Sequence, residues 1–150
     1  MAYLIDCDAI AHLDGAANCD AVLDGLEKLI LSGQLRTVEQ VFDELRRWPH
    51  IQGRFKPIKK TFLISQYTAE ISALVGQISD DFEFLYDLTG TRNPDPADPW
   101  LIAAAKILGW TVITDERQTS TKRIPYVYRQ QSLQVRCISG RDFFKEVGIT

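Results

Sequence analysis

Acidic residues stand in the sequence where chemistry could occur. Asp6 ends a short apolar run, with Asp8 two residues later. Asp115 and Glu116 end a second such run, after Thr114. Asp98 stands directly before Pro99 in a proline-stiffened stretch, and Glu44 follows Asp43 in a helical pattern. Carboxylates brought together from separate segments repel one another and drive their pKa values upward. A divalent cation relieves that repulsion, and an all-oxygen donor set suits magnesium or manganese. Taken singly, Asp98 is equally a helix cap, Glu44 a solvated flank, and the Asp115-Glu116 pair turn residues. A carboxylate directly after a buried strand is harder to explain away, because burying a bare charge is very costly.

The elements that must position these acids are short strands and longer helices. Residues 2–5 and 111–114 read as fully buried strands, too short for helices and bounded by carboxylates or Gly109. Residues 135–138 and 35–37 are further candidates. Helical patterns fit 19–31, capped by Asn18 and ended by Gly33, and 38–48, stopped by Pro49. Others fit 66–79 (bent and continuing to 88), 98–108, 126–132 and 141–147. At about 100° per residue, Glu44 lies beside the apolar arc of the 38–48 helix, whereas Asp43 points toward water. Asp98 reads as the N-cap of a buried helix with Pro99 at its first position. Buried strands separated by helices predict an α/β fold, three-layer α/β/α, with a short, mostly parallel sheet. Ligands in such sheets bind beyond the carboxyl ends of the strands, where Asp6, Asp115 and Glu116 stand.

The 150 residues suggest one domain over 1–150, with no linker, repeat or low-complexity tract. Net charge is −3, which argues against a general polyanion coat. The charge is uneven, however. Residues 45–60 carry Arg46, Arg47, Arg54, Lys56, Lys59 and Lys60 and no acid. They form either a local grip for a polyanion or a solvated basic loop. Cys7, Cys19 and Cys137 are odd in number and lack a CxxC, which disfavours a disulfide framework or a cysteine-rich zinc site. His12 and His50 form no pair at metal-ligand spacing in the sequence. The apolar run at 100–105 is cut by Lys106, and the N-terminus lacks a basic leader, so no membrane association and a cytoplasmic location are expected.

Four motifs in order resemble those of PIN-domain ribonucleases. They are Tyr3-Leu4-Ile5-Asp6-Cys7-Asp8, Val41-Phe42-Asp43-Glu44-Leu45, Ala97-Asp98-Pro99-Trp100-Leu101-Ile102-Ala103 and Val112-Ile113-Thr114-Asp115-Glu116. The Asp-Pro-Trp-Leu-Ile-Ala wording, with Lys122-Arg123-Ile124-Pro125 and Phe143-Phe144, is similar to one prokaryotic PIN branch. The resemblance covers almost the whole chain. It implies a Mg2+- or Mn2+-dependent endoribonuclease, the toxin of a toxin–antitoxin pair of the VapC type, homodimeric and blocked by a cognate antitoxin protein. Carried over by motif, Asp6, Glu44 and Asp98 match the metal-binding acids. Thr-x-Asp spacing selects Glu116 as the fourth, with Asp115 the alternative, and Asp8 and Thr114 stand behind them as supporting or phosphate-orienting groups. The basic residues from Arg46 to Lys60 would then hold RNA, with single-stranded loops the expected targets. Tyr67, Tyr86, Tyr126 and Tyr128 offer rings for stacking bases, although packing explains each as well. Cys7 and Asp8 depart from the hydroxyl and Asn/Ser residues common at those positions. Two other readings compete: an inactive PIN fold kept as a binding module, and a haloacid-dehalogenase-type phosphatase with Asp6 as nucleophile and Asp8 as acid/base.

Overall fold

A computed structural model describes residues 2–82, 85, 96–117, 124, 125, 127 and 135–149. Along the chain run β1 (Tyr3–Ile5), α1 (Cys7–Ala11), α2 (Cys19–Leu31), β2 (Leu35–Arg36), α3 (Glu39–Glu44), α4 (Pro49–Phe55), α5 (Lys59–Phe62), α6 (Ala69–Asp81), α7 (Ala97–Leu108), β3 (Thr111–Ile113), β4 (Cys137–Ile138) and α8 (Gly140–Val147). Short 3-10 turns at Leu45–Arg47 and Lys56–Ile58 join the helices on either side of them. The strands form one parallel sheet in the order β2-β1-β3-β4, and the fold is the expected three-layer α/β/α.

Strand order explains where a site can form. From β1 the chain crosses to β2 on one side, then returns to β3 on the other. The two directions diverge between β1 and β3, which opens a crevice at their carboxyl ends. Register pairs Ile5 with Ile113, so Asp6 and Thr114 leave the sheet side by side. The strands are buried on both faces, as their unbroken apolar sequences require: Leu4, Ile5, Val112 and Ile113 are fully covered. On one side α7 packs its buried Leu101, Ile102, Ala103, Ala104 and Ala105, and it ends at Gly109 in the left-handed conformation (φ 71°). Across the sheet, the Tyr3 hydroxyl donates to Glu146 at 2.5 Å and its ring meets Phe143 edge-on at 4.9 Å, tying α8 to β1.

Three expectations from the sequence need correction. The helix expected over 38–48 tightens into a 3-10 turn after Glu44, and Trp48 leaves the helical region (φ −127°, ψ 75°). The cause is Pro49, which disfavours helical backbone in the residue before it and opens α4 instead. The basic stretch 45–60 is therefore mostly helical rather than a loop. Finally, α7 begins at Ala97 with Pro96 at its N-cap, so Asp98 lies in the first turn and does not cap the helix. Helix 66–79 is realised as α6, capped by the Thr68 hydroxyl, which accepts the Ile71 N–H at 3.3 Å. It runs on to Asp81, where Phe82 leaves the helical region (φ −133°, ψ 64°), and of the extension expected to 88, residues 83, 84 and 86–88 lie outside the described residues, as do most of the 126–132 helix and Tyr86, Tyr126, Tyr128, Lys122 and Arg123. Among the described residues, no helix is long and apolar enough to cross a membrane.

Candidate metal centre

The site is built outward from Asp6. Its backbone N–H continues the sheet by donating to Ile113 O at 2.8 Å. Its side chain then caps α1, Oδ1 accepting the Cys7 N–H at 2.7 Å. Oδ2 accepts the Thr114 hydroxyl at 3.0 Å. Because α1 starts at once, the chain curls and returns Asp8 to the same side, where Oδ1 accepts the Asp115 N–H at 3.1 Å. Thr114 Oγ1 also lies 3.4 Å from both oxygens of Asp8 and accepts the Glu116 N–H at 3.3 Å. The result is one oxygen each from Asp6, Asp8 and Glu116, all within 4.8 Å of one another. The Ile124 N–H, donating to Glu116 Oε2 at 2.9 Å, fixes the third carboxylate.

Glu44 and Asp98 border this trio. The Glu44 carboxylate accepts the Ala97 N–H, joining the end of α3 to the start of α7. Asp98, one residue on, contributes to the negative field at Asp6. The N-terminus of α7 brings the positive end of a 12-residue helix toward these acids and offsets part of their charge. A buried amide pair holds α3 in place: the Gln66 side chain donates to Gln40 at 2.5 Å and accepts the Glu39 N–H at 2.7 Å. Nothing in the sequence singled out either glutamine. Tyr67 packs on the rim, its ring meeting Trp100 edge-on at 5.1 Å.

Burial and mutual repulsion dominate the electrostatics of the cluster. Burial, then the charges of Asp8, Asp98 and Glu116, hold Asp6 well above the usual carboxylate range, against the opposing Cys7 N–H. Burial also raises Asp8 and Glu44; for Glu44 the Ala97 N–H, Arg47 and Arg46 act in the opposite direction. Cys7, under Asp6, is pushed up by burial and by the same carboxylates. A compact set of carboxylate oxygens could hold a divalent cation, and hard oxygen donors are the kind that suit Mg2+ or Mn2+.

Residues 3–150 match the family described as Domain of unknown function (DUF4411). The chain belongs to this family. No curated protein matches it closely enough to count as a relative. In this DUF4411 chain the two adjacent acids after β3 divide their work. Asp115 turns away, accepting the Gly140 N–H at 2.7 Å through Oδ1 and pairing through Oδ2 with His12 Nδ1 at 2.7 Å. A Cβ on Gly140 would stand 3.1 Å from that same Oδ1, so the glycine is what lets α8 approach. Glu116, not Asp115, joins the oxygen cluster, whereas Asp8 stands with Asp6 and Glu116 rather than behind them.

The basic residues are likewise of two kinds. Arg54 is bound to α2 through Asp24 and Glu27, the latter at 3.0 Å, so its guanidinium is engaged within the fold. Arg46, Arg47, Lys56 and Lys60 are exposed, and Lys59 Nζ sits 4.8 Å above the Phe42 ring.

Thr114 is the hinge of the DUF4411 cluster. It is fully buried and supplies the proton for Asp6 Oδ2. Thr114→Val keeps the shape and strands that oxygen, at an expected cost of about 1–3 kcal/mol. Chemical denaturation checks this, and an unchanged midpoint would contradict the role assigned to the hydroxyl.

Proposed function

We propose that this protein is a divalent-metal-dependent endoribonuclease of the PIN type. The observation that carries the reading is the convergence of Asp6, Asp8 and Glu116 at the carboxyl ends of β1 and β3, with Glu44 and Asp98 beside them. The motifs that resemble the PIN family place acids at the same positions, and the family's Thr-x-Asp pattern accords with Glu116 facing the cluster.

Hydrolysis of a phosphodiester needs an activated water and compensation for charge developing on the phosphoryl and leaving oxygens. A Mg2+ or Mn2+ ion, when bound, supplies both. The chain's own contribution is positioning. Asp6 is fixed by the Cys7 N–H and Thr114 hydroxyl, so it presents oxygen in one orientation. Asp8 and Glu116 are held by the N–H groups of Asp115 and Ile124. Glu44 and Asp98 complete the negative surround. Arg46 and Arg47, whose charges reach Glu44, stand close enough to draw a phosphate toward acids that would otherwise repel it. Lys56, Lys59 and Lys60 extend this grip along the backbone, while Arg54 serves the fold.

The resemblance further supports a toxin of a toxin–antitoxin pair, acting in the cytoplasm as a homodimer and silenced by its antitoxin protein. The test is incubation of the purified protein with a pool of structured RNAs, in manganese and in EDTA. Cleavage is expected with manganese only. RNA left whole in both, by folded protein, would contradict the nuclease reading and favour a binding module.

A further inference from the structure

Helices α2 and α4 face each other along a charged ladder. Asp20, Asp24 and Glu27 recur on α2 at helical spacing, opposite His50 and Arg54 on α4. Arg54 occupies the lower rungs, against Asp24 and Glu27. The top rung differs. His50 Nε2 lies 2.9 Å from Asp20 Oδ1, and Cys19 joins them: sulfur, imidazole nitrogen and carboxylate oxygen all lie within 4.8 Å of one another.

We infer that Cys19, Asp20 and His50 form a second metal site, for a borderline-soft divalent transition ion of the zinc class. The donor set decides the class. Thiolate and imidazole favour zinc or cobalt, whereas the all-oxygen cluster beyond β1 and β3 favours magnesium or manganese. Geometry permits it. With Zn–S near 2.3 Å and Zn–N near 2.0 Å, tetrahedral ligand atoms stand about 3.5 Å apart. Closing to that spacing takes only side-chain rotation, because Asp20 and His50 are 75% and 63% exposed and free to turn toward the nearly buried thiol. Asp14 lies near enough for its charge to reach Cys19.

An exposed His–Asp pair alone is worth little and has no use for a thiol at its side. Cys19 would hold the ion through sulfur, His50 through Nε2 and Asp20 through a carboxylate oxygen. The consequence is a clamp between α2 and the helix that opens the basic stretch.

The test is titration of the whole chain with cobalt, reading the near-ultraviolet charge-transfer band that a cobalt–thiolate bond produces. One equivalent is expected to raise the band and zinc to abolish it. The band should persist in Cys7→Ser and Cys137→Ser, disappear in Cys19→Ser and weaken strongly in His50→Ala. Since His50 is exposed, its removal leaves the fold intact. No band in the wild type, a band that survives Cys19→Ser or follows Cys7, or one indifferent to His50→Ala, would overturn the site.

Discussion

Replacing Asp6 by Asn is expected to make the metal-free protein more stable, by about 1–2 kcal/mol, and to abolish its stabilisation by manganese. Asp6 is buried among Asp8, Asp98 and Glu116, and without a cation its charge is only a burden. Asn keeps an oxygen to cap α1 by accepting the Cys7 N–H. Its amide can donate to Thr114 Oγ1, whose own proton then turns to Asp8, 3.4 Å away. The change therefore removes repulsion and costs little in hydrogen bonding. The pH dependence gives the same account an independent sign. Asp6, Asp8 and Glu44 all have raised native values. The native state thus holds protons that the unfolded chain has released, so metal-free stability falls as pH rises through those native values. Manganese needs the ionised carboxylates, and its stabilising effect grows over the same interval. Melting temperatures with and without manganese, from weakly acidic to neutral pH, read both trends. Destabilisation by Asp6→Asn in the metal-free protein, with no manganese effect in the wild type, would contradict the assignment.

Phe55→Ala should cost about 3–5 kcal/mol, a large part of the stability of a small domain. Phe55 and Phe62 are fully buried, with ring centroids 5.3 Å apart, and they hold α4 and α5 against the body of the fold. The neighbouring charges behave differently. Lys56 and Lys60 project from the same two turns into solvent, and replacing either by Ala should change stability by less than about 0.5 kcal/mol. The basic surface is thus displayed by a rigid support, not by a loose loop. Denaturant unfolding separates the two classes; a Phe55→Ala cost under about 1 kcal/mol would show that the segment is not built on the core.

The parts of the fold legible in the sequence are those where one physical cause dominates. Parallel strands buried on both faces must be continuous apolar runs, which 2–5 and 111–114 fit best, so the position of Asp6 and that of the Asp115-Glu116 pair followed. The side of α3 that Glu44 takes followed from the helical period, and Asp43 is exposed as expected. The stretch from Pro49 to Phe62 was not legible because its cues conflict. Proline usually ends a helix, yet Pro49 and Pro57 each sit in the first turn of a new one, and the basic residues obscure the Ile51, Phe55 and Phe62 stripe. The rank of Asp8 depended on α1 starting immediately after Asp6. The choice between Asp115 and Glu116 depended on Gly140, Ile124 and His12, contacts made only by folding. Likewise, no periodicity joins Cys19 to His50; opposed helices do.

The most direct measurement is the rate at which wild type and Asp98→Asn cut one susceptible RNA over a range of manganese concentrations. Asp98 adds to the field at Asp6 without capping its helix, so the variant should fold and lose the site's charge balance. The account predicts cleavage that rises with manganese in the wild type and is slower by at least about a hundredfold in the variant. Equal rates in the two folded proteins would contradict it.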